Sequence, residues 1–275
     1  MIRRVGKNLG LLETEVSAAT RQIETEGWTL LPKVFSPTEV ADMVAEIDSI
    51  YQANQPDVRY REVDRSDFRY EMYNRSPAVQ RAIGQRGILD VIEPLLGDDC
   101  HVIANTCWRN PPEFPGGPWH CDAGPHVPRP EGVAWDERIP YPVFVIGAHL
   151  WLWDVTTADG PTSVIPGSHR SGRLPPRHRF TDPDLDYEGQ RPVAPEAAAG
   201  DVLVFSSDIW HRGTPATPGG RGRLFVQCHY GRRDIAQRVL TTDLVNHVGP
   251  EAQARITSER ERALLGLHQP FFYDG

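Results

Sequence analysis

The sequence predicts a mainly β protein with flanking helices, in which an antiparallel sandwich or barrel carries the helices on its outside. Three observations predict it. Helical periodicity is concentrated in the first hundred residues, and after residue 100 the chain breaks into short β-rich runs separated by Gly/Pro clusters. Few helical patterns return until residues 251–265. Helices first and many short strands afterwards is the pattern of packed sheets beneath a helical layer.

Leu11, Leu12 and Val16 open a helix near residues 11–26. Trp28-Thr-Leu-Leu31 is apolar, β-rich and stopped by Pro32, so it reads as a short strand. Ser36 precedes Pro37, and Glu39 follows three residues after Ser36, which makes a capping box with proline at the first helical position. That helix runs to about Tyr51 with Val40, Met43, Val44 and Ile47 on one face. A further helix covers residues 86–96 and ends at Gly97. The strands expected beyond it are residues 101–108, 143–146 with 149–153, 162–165, 202–205 and 224–230. Residues 111–142 hold nine prolines and four glycines, too many for a core strand or helix, and read as a lid. Residues 171–199 are polar, proline-punctuated and equally irregular.

Composition narrows the function. Hydrophobic residues make up 39% of the 275, and 24 glycines add to that share, so a disordered or fibrous chain is excluded. A net charge of −8 argues against nucleic acid as a partner. No stretch approaches the ~18–20 apolar residues of a membrane span, and no apolar run follows the basic N-terminus; a cytoplasmic protein with no membrane partner is expected. Cys100, Cys107, Cys121 and Cys228 form no CxxC pair and read as free thiols. Only Lys7 and Lys33 among 29 basic residues are lysine, and prolines number 25, the codon-usage skew of a high-GC, actinomycete-like genome.

His120-Cys121-Asp122 is a short motif that arises by chance, and its context gives it weight. Residues i and i+2 at a strand edge point to one side, so an imidazole and a carboxylate can reach the same ion. A third ligand must come from a distant strand, and His211 follows Gly200-Asp-Val-Leu-Val-Phe205, a turn feeding a buried strand. Two histidines and a carboxylate on one face of an octahedral ion form the facial triad of non-heme Fe(II) oxygenases, with three positions open for a 2-oxo acid and O2. A 2-oxoglutarate cosubstrate also needs a cation for its distal carboxylate, a role suited to the planar fork of arginine. Arg221 and Arg223 follow His211 across one turn.

At this point the chain resembles the phytanoyl-CoA dioxygenase (PhyH-like) family of Fe(II)/2-oxoglutarate-dependent oxygenases, across most of residues 20–232. The matching stretches are residues 26–36 (Glu26-Gly-Trp through Phe35-Ser36), Trp119-His-Cys-Asp122, Asp159-Gly-Pro161 leading to Ile165-Pro-Gly-Ser-His169, Gly200-Asp-Val-Leu-Val-Phe205, and His211 with Arg223-Leu-Phe-Val-Gln-Cys-His-Tyr230. The resemblance implies a double-stranded β-helix (jelly-roll, cupin-like) core, with Fe(II) on His120, Asp122 and His211. It implies 2-oxoglutarate and O2 as cosubstrates, and Arg223 as the clasp on 2-oxoglutarate. Arg223 is preferred to Arg221 because it keeps the family's distance to Cys228-His-Tyr230. Thr214 is expected to donate its hydroxyl to the same carboxylate, and Asn105, on an inward-facing strand, to make a secondary cosubstrate contact. One oxygenase domain over 1–275 is expected: a mainly helical 1–99, a metal-bearing β core over 100–232 and a helical or loop extension over 233–275.

Neighbouring residues have plainer roles. His169 is expected to be structural and His229 a satisfied core histidine. His149, Trp151 and Trp153 alternate on one strand face, as core or as pocket lining. Trp119 and Trp210 pack beside the metal, Cys121 is inert, and Arg69, Tyr70, Tyr73, Asn74 and Arg75 within residues 69–75 form a polar-aromatic cluster, as solvated surface or as a substrate-facing segment. A filled Asp122 position excludes halogenation, for which a small residue would be needed. The expected activity is hydroxylation or oxidative cyclisation of a small molecule. A tailoring step in antibiotic or other secondary-metabolite biosynthesis, on a glycoside or aminoglycoside, fits the genomic skew. Acyl-CoA hydroxylation is the alternative, with Arg173, Arg177 and Arg179 as a phosphate patch. A cupin-like hydrolase or isomerase would use the same three ligands without Arg223.

Overall fold

The computed structural model describes residues 16–53, 67–122, 124–136, 138–237 and 248–268. The expected start of the first helix, at residue 11, and the end of the C-terminal extension lie outside the described residues. Helix α1 (Ala18–Glu26) starts where the Ser17 hydroxyl accepts from the Thr20 amide at 3.0 Å. It stops at Gly27, whose φ of +87° is left-handed and whose amide donates to Ile23 O. Strand β1 (Trp28–Leu31) and helix α2 (Pro37–Ala53) follow. The capping box closes as read: the Ser36 amide donates to Glu39 Oε2 at 2.8 Å, and the Glu39 amide to Ser36 Oγ at 3.3 Å. Beyond β2 (Asp67–Tyr70) come the short helices α3 (Met72–Arg75) and α4 (Pro77–Ala82), then α5 (Arg86–Leu96), which ends at Gly97.

The remaining strands are β3 (His101–Asn110), β4 (Val145–Trp151), β5 (Thr162–Val164), β6 (Val202–Ser206), β7 (His211–Gly213) and β8 (Arg223–Gly231). Six of the eight form one antiparallel sheet in the order β1-β6-β4-β8-β3-β2. A second sheet pairs β5 with β7 and is widened by backbone bridges at His120–His211 and Val164–Val193. Neighbours in space that are distant in sequence make this a double-stranded β-helix, or jelly roll, with helices on the outer face of the larger sheet. Helices α6 (Pro250–Ala254) and α7 (Glu259–Leu264) end the described chain.

The large sheet has two chemically distinct faces because side chains alternate along a strand. On β8, Leu224, Val226, Cys228 and Tyr230 join the core built with Met43 and Ile47 of α2 and Ile88 and Ile92 of α5. The opposite parity, Arg223, Phe225, Gln227 and His229, faces the interior of the roll. The expected polar cluster at residues 69–75 is in part core: Arg69 and Tyr73 are buried, and the Arg69 guanidinium lies over the Tyr51 ring at 4.2 Å. The guanidinium also donates to Phe68 O at 3.0 Å, and such aromatic and backbone contacts let a charged side chain pack inside where composition pointed outward.

The proline-rich segment between β3 and β4 contains no helix or strand among its described residues. It is pinned by Asp208, a buried carboxylate in the β6–β7 turn. Asp208 accepts from His126 Nδ1 at 2.5 Å, from the His126 amide at 3.1 Å and from the Tyr141 hydroxyl at 2.9 Å. The segment is therefore tied to the turn that leads directly into His211.

Candidate functional site

His120 and His211 are held side by side by a two-way backbone bridge: each amide donates to the other's carbonyl at 3.0 Å. The Asp122 amide donates to Ser207 O at 3.1 Å, which fixes the carboxylate two residues on, at the same edge. One ligand atom from each of His120, Asp122 and His211 lies within 4.8 Å of the others. Asp122 Oδ1 is 3.4 Å from His211 Nε2 and 3.9 Å from His120 Nε2.

The tautomers follow from the hydrogen bonds. His120 Nδ1 donates to Pro118 O at 2.9 Å and His211 Nδ1 to Ile209 O at 3.0 Å. A carbonyl only accepts, so both Nδ1 atoms carry a proton and both Nε2 atoms are turned to the shared space. Desolvation and the adjacent His211 push His120 down to about 4, so its ring is neutral at physiological pH. Burial opposes ionisation of Asp122, but His211 and His229 outweigh it and hold the carboxyl well below its usual range. Burial opposes protonation of His211, but the Asp122 carboxylate beside it outweighs that and raises its pKa, so a divalent cation binding between these donors would displace the proton on His211 Nε2. Trp119 and Trp210, each one residue before a histidine, turn the other way and pack together with Ile165 and Leu185.

Arg223 supplies the second feature. Its guanidinium is buried, and no carboxylate among the described residues forms an ion pair with it. It donates to Asn110 Oδ1 at 2.6 Å and to Gly160 O at 2.8 Å, lies 3.4 Å from Thr162 Oγ1, and rests against the Phe114 and Phe225 rings. Burial pushes it down to about 9, which still leaves it charged at neutral pH. Gly213 makes its position possible, since a Cβ there would collide with the Arg223 guanidinium. Arg221 lies elsewhere: its guanidinium covers the Trp153 ring at 4.4 Å.

Two expected contacts are placed differently. The Thr214 hydroxyl donates to Pro161 O at 2.8 Å and so holds its own turn; Thr162, paired with Gly213 across the small sheet, is the threonine beside Arg223. Asn105 faces the helices. Its Oδ1 accepts from the Tyr73 amide at 2.8 Å, and its amide nitrogen lies 3.0 Å from Cys228 Sγ. The cause is a register shift between Val102 and Ala104, which switches the alternation and turns Thr106, Trp108 and Asn110 inward instead.

The interior wall also contains His149 and Trp151, which strand alternation offered as core or as pocket lining. His149 is fully buried among His211, Asp122, Arg223 and His229, is neutral because burial holds it well below its usual value, and has an Nε2 without a partner. Trp151 Nε1, on the same face of β4, is likewise buried and without a partner. Orphaned buried polar atoms beside a buried cation fit a site shaped to take a polar guest. His229 is buried and satisfied as expected, and the partner that satisfies it is a candidate metal ligand: its Nε2 lies 2.8 Å from Asp122 Oδ2. Strand parity was the available signal, because Gln227 and His229 share the face of Arg223.

Gly147 on β4 leaves room for this packing. A Cβ there would lie 2.8 Å from two atoms of the Phe205 ring, whose centroid is 4.8 Å from that of His211. Gly147→Ala is expected to destabilise the fold by about 1–3 kcal/mol through overpacking, measured by denaturant melts. It should also weaken divalent-metal affinity about tenfold by displacing His211, measured by calorimetry.

The sequence matches the profile of the phytanoyl-CoA dioxygenase (PhyH) family over residues 23–222. It is 25% identical over 230 residues to ectoine dioxygenase of Sphingopyxis alaskensis, covering 74% of this chain and 72% of that one. It is 32% identical over 120 residues to an uncharacterized protein of Mycobacterium tuberculosis, a match that spans 43% of this chain and only 39% of that relative's length. HygX from Streptomyces hygroscopicus, solved with nickel, 2-oxoglutarate and hygromycin B bound, shares the fold with a TM-score of 0.62 at 16% identity, over 80% of this chain and 88% of that one. The match to the family profile spans more than two thirds of the sequence, and the chain belongs to the phytanoyl-CoA dioxygenase (PhyH) family.

Proposed function

We propose that this protein is an Fe(II)- and 2-oxoglutarate-dependent oxygenase acting on a small molecule, with His120, Asp122 and His211 as metal ligands and Arg223 as the anchor of the cosubstrate's distal carboxylate. The observation that carries it is the pairing of the His-Asp-His donor set with a buried arginine that has no carboxylate partner among the described residues. A cupin-like hydrolase would need the three ligands but has no use for that buried charge. When bound, iron supplies the activation of O2, coupled to oxidative decarboxylation of 2-oxoglutarate to succinate and CO2.

The protein's part is geometry and electrostatics. The backbone bridge fixes the two imidazoles, and the Nδ1–H bonds to Pro118 and Ile209 aim both Nε2 atoms inward. Arg223, oriented by Asn110, Gly160 and Thr162, offers its remaining N–H groups to a carboxylate in an apolar surround where charge-assisted bonds are strong. The aromatic wall of Trp108, Trp151 and Phe225 excludes water from the interior.

The finer reading is a tailoring step on a natural product, with a glycoside as the substrate class. The high-GC residue skew and the fold shared with HygX, which was solved with hygromycin B, support it. Two of the three arginines considered for coenzyme A binding already have carboxylate partners: Arg173 pairs with Glu131, and Arg179 with Asp182 and Asp186. This weighs against the acyl-CoA alternative. Anaerobic addition of Fe(II) and 2-oxoglutarate should produce a weak visible charge-transfer band, and O2 should then yield succinate. Iron-loaded protein that gives neither band nor succinate would overturn the proposal. A panel of aminoglycosides, other glycosides and acyl-CoA thioesters, scored by succinate released above background, tests the substrate class.

A further inference from the structure

The two oxygens of Asp122 face different partners. Oδ1 is turned toward His211 Nε2 and His120 Nε2, at 3.4 and 3.9 Å, whereas Oδ2 lies 2.8 Å from His229 Nε2. His229 rises from the interior face of β8, opposite Ala104 of β3 and Gly147 of β4, two positions with little or no side chain. That gap gives the imidazole room to lean across to Asp122. Behind it, Gln227 Oε1 accepts from Trp108 Nε1 at 2.9 Å and lies 3.3 Å from Thr106 Oγ1. Its amide nitrogen is thereby held 3.4 Å from His229 Nε2.

We propose that His229 is a positioning residue that occupies Asp122 Oδ2 and so restricts the carboxylate to one-oxygen coordination through Oδ1. This rests on the assignment of Asp122 as a metal ligand. A carboxylate cannot donate, so the proton in the His229–Asp122 bond lies on Nε2. The His229 bond draws Oδ2 away from the space between the two histidines and so opposes closure of Asp122 on an ion through both oxygens. Three coordination positions are then left for a two-point cosubstrate and a third ligand. His229 is outside the donor set itself, since the nitrogen that could bind metal is directed at Oδ2. Gln227, held by Trp108 and Thr106, donates through the nitrogen that faces His229 Nε2, so its contact with the ring is packing and the hydrogen bond of Nε2 is left to Asp122.

Two substitutions separate positioning from packing. His229→Phe keeps a ring and removes the donor, and His229→Gln keeps an N–H donor and removes the ring. Co(II) titrations of the metal-free full-length protein, followed by calorimetry and by the visible Co(II) bands, read the result. His229→Phe is expected to bind Co(II) 10- to 100-fold more weakly than wild type. Its visible bands should weaken as the carboxylate gains a second coordinating oxygen. His229→Gln should stay within about threefold of wild type and keep the wild-type bands, in keeping with an intact outer-shell donor. Thermal melts of the metal-free variants confirm that each is folded. Wild-type affinity in the Phe variant, equal losses in both, or a greater loss in Gln would each overturn the positioning role. Failure of the metal assignment looks different: wild type takes up no Co(II), or Asp122→Ala binds it as tightly as wild type does.

Discussion

Asp122→Ala is expected to abolish succinate formation and to reduce divalent-metal affinity beyond the 10–100-fold that loss of an outer-shell partner costs. The reason lies in the charge of the set. With their Nδ1 protons engaged by Pro118 and Ile209, His120 and His211 can offer an ion only uncharged Nε2 lone pairs, so Asp122 is the one anion among the three donors. Removing it leaves a divalent ion against two neutral nitrogens and takes away the acceptor of His229 Nε2. The backbone bridge between His120 and His211 does not involve the Asp122 side chain, so the metal-free variant should remain folded. Calorimetric Co(II) titration and succinate assays check the expectation, and circular dichroism checks the fold. Undiminished coupled turnover would show that the ion is held elsewhere.

The second large effect is expected at Arg223, and it runs in opposite directions for function and stability. Removing one partner of a buried charge pair costs about 2–5 kcal/mol of binding. At 1.4 kcal/mol per tenfold, Arg223→Met should raise the KM for 2-oxoglutarate by at least ~30-fold. Arg223→Lys keeps a charge but loses the fork that Asn110 and Gly160 orient, and should fall between wild type and Met. Without cosubstrate, Arg223 is a buried cation with no carboxylate partner among the described residues, a net burden on the fold. The Met variant should therefore melt no lower than wild type when 2-oxoglutarate is absent, and should lose the rise in Tm that 2-oxoglutarate gives wild type. A Met variant that melts well below wild type yet keeps its KM would place the arginine in a structural role.

Much of the architecture was legible in the linear pattern. Ser36-Pro37 with Glu39 encoded a helix start that needs only local bonds, and Gly97 its counterpart at the end of α5. Strand β1 coincides with residues 28–31, because an apolar run stopped by proline has few alternatives. His120 and Asp122, two residues apart at an edge, had to point the same way, and His211 after a buried strand was the partner that the β-roll could bring back.

What the pattern could not decide was which side chains meet across strands distant in sequence. Alternation with period two assigns faces only while the register is unbroken. The shift between Val102 and Ala104 sent Asn105 to the helices and Asn110 to Arg223. Thr214 and Thr162 are equally polar in sequence, and the pairing of Thr162 with Gly213 decided between them, because a residue without a side chain lets the guanidinium of Arg223 lie there. Arg221 and Arg223 share one parity on paper, yet Arg221 precedes the strand and covers Trp153 while Arg223 enters the interior. His229 looked like any histidine of a buried strand until the second sheet brought Asp122 to within 2.8 Å of it. The sequence by itself determined the longer elements, the faces of strands whose register is unbroken and the residue types capable of holding a metal. The tertiary structure alone decided the partners, because convergence at the site depends on register, missing side chains and the packing of one sheet on the other, none of which has a local signature.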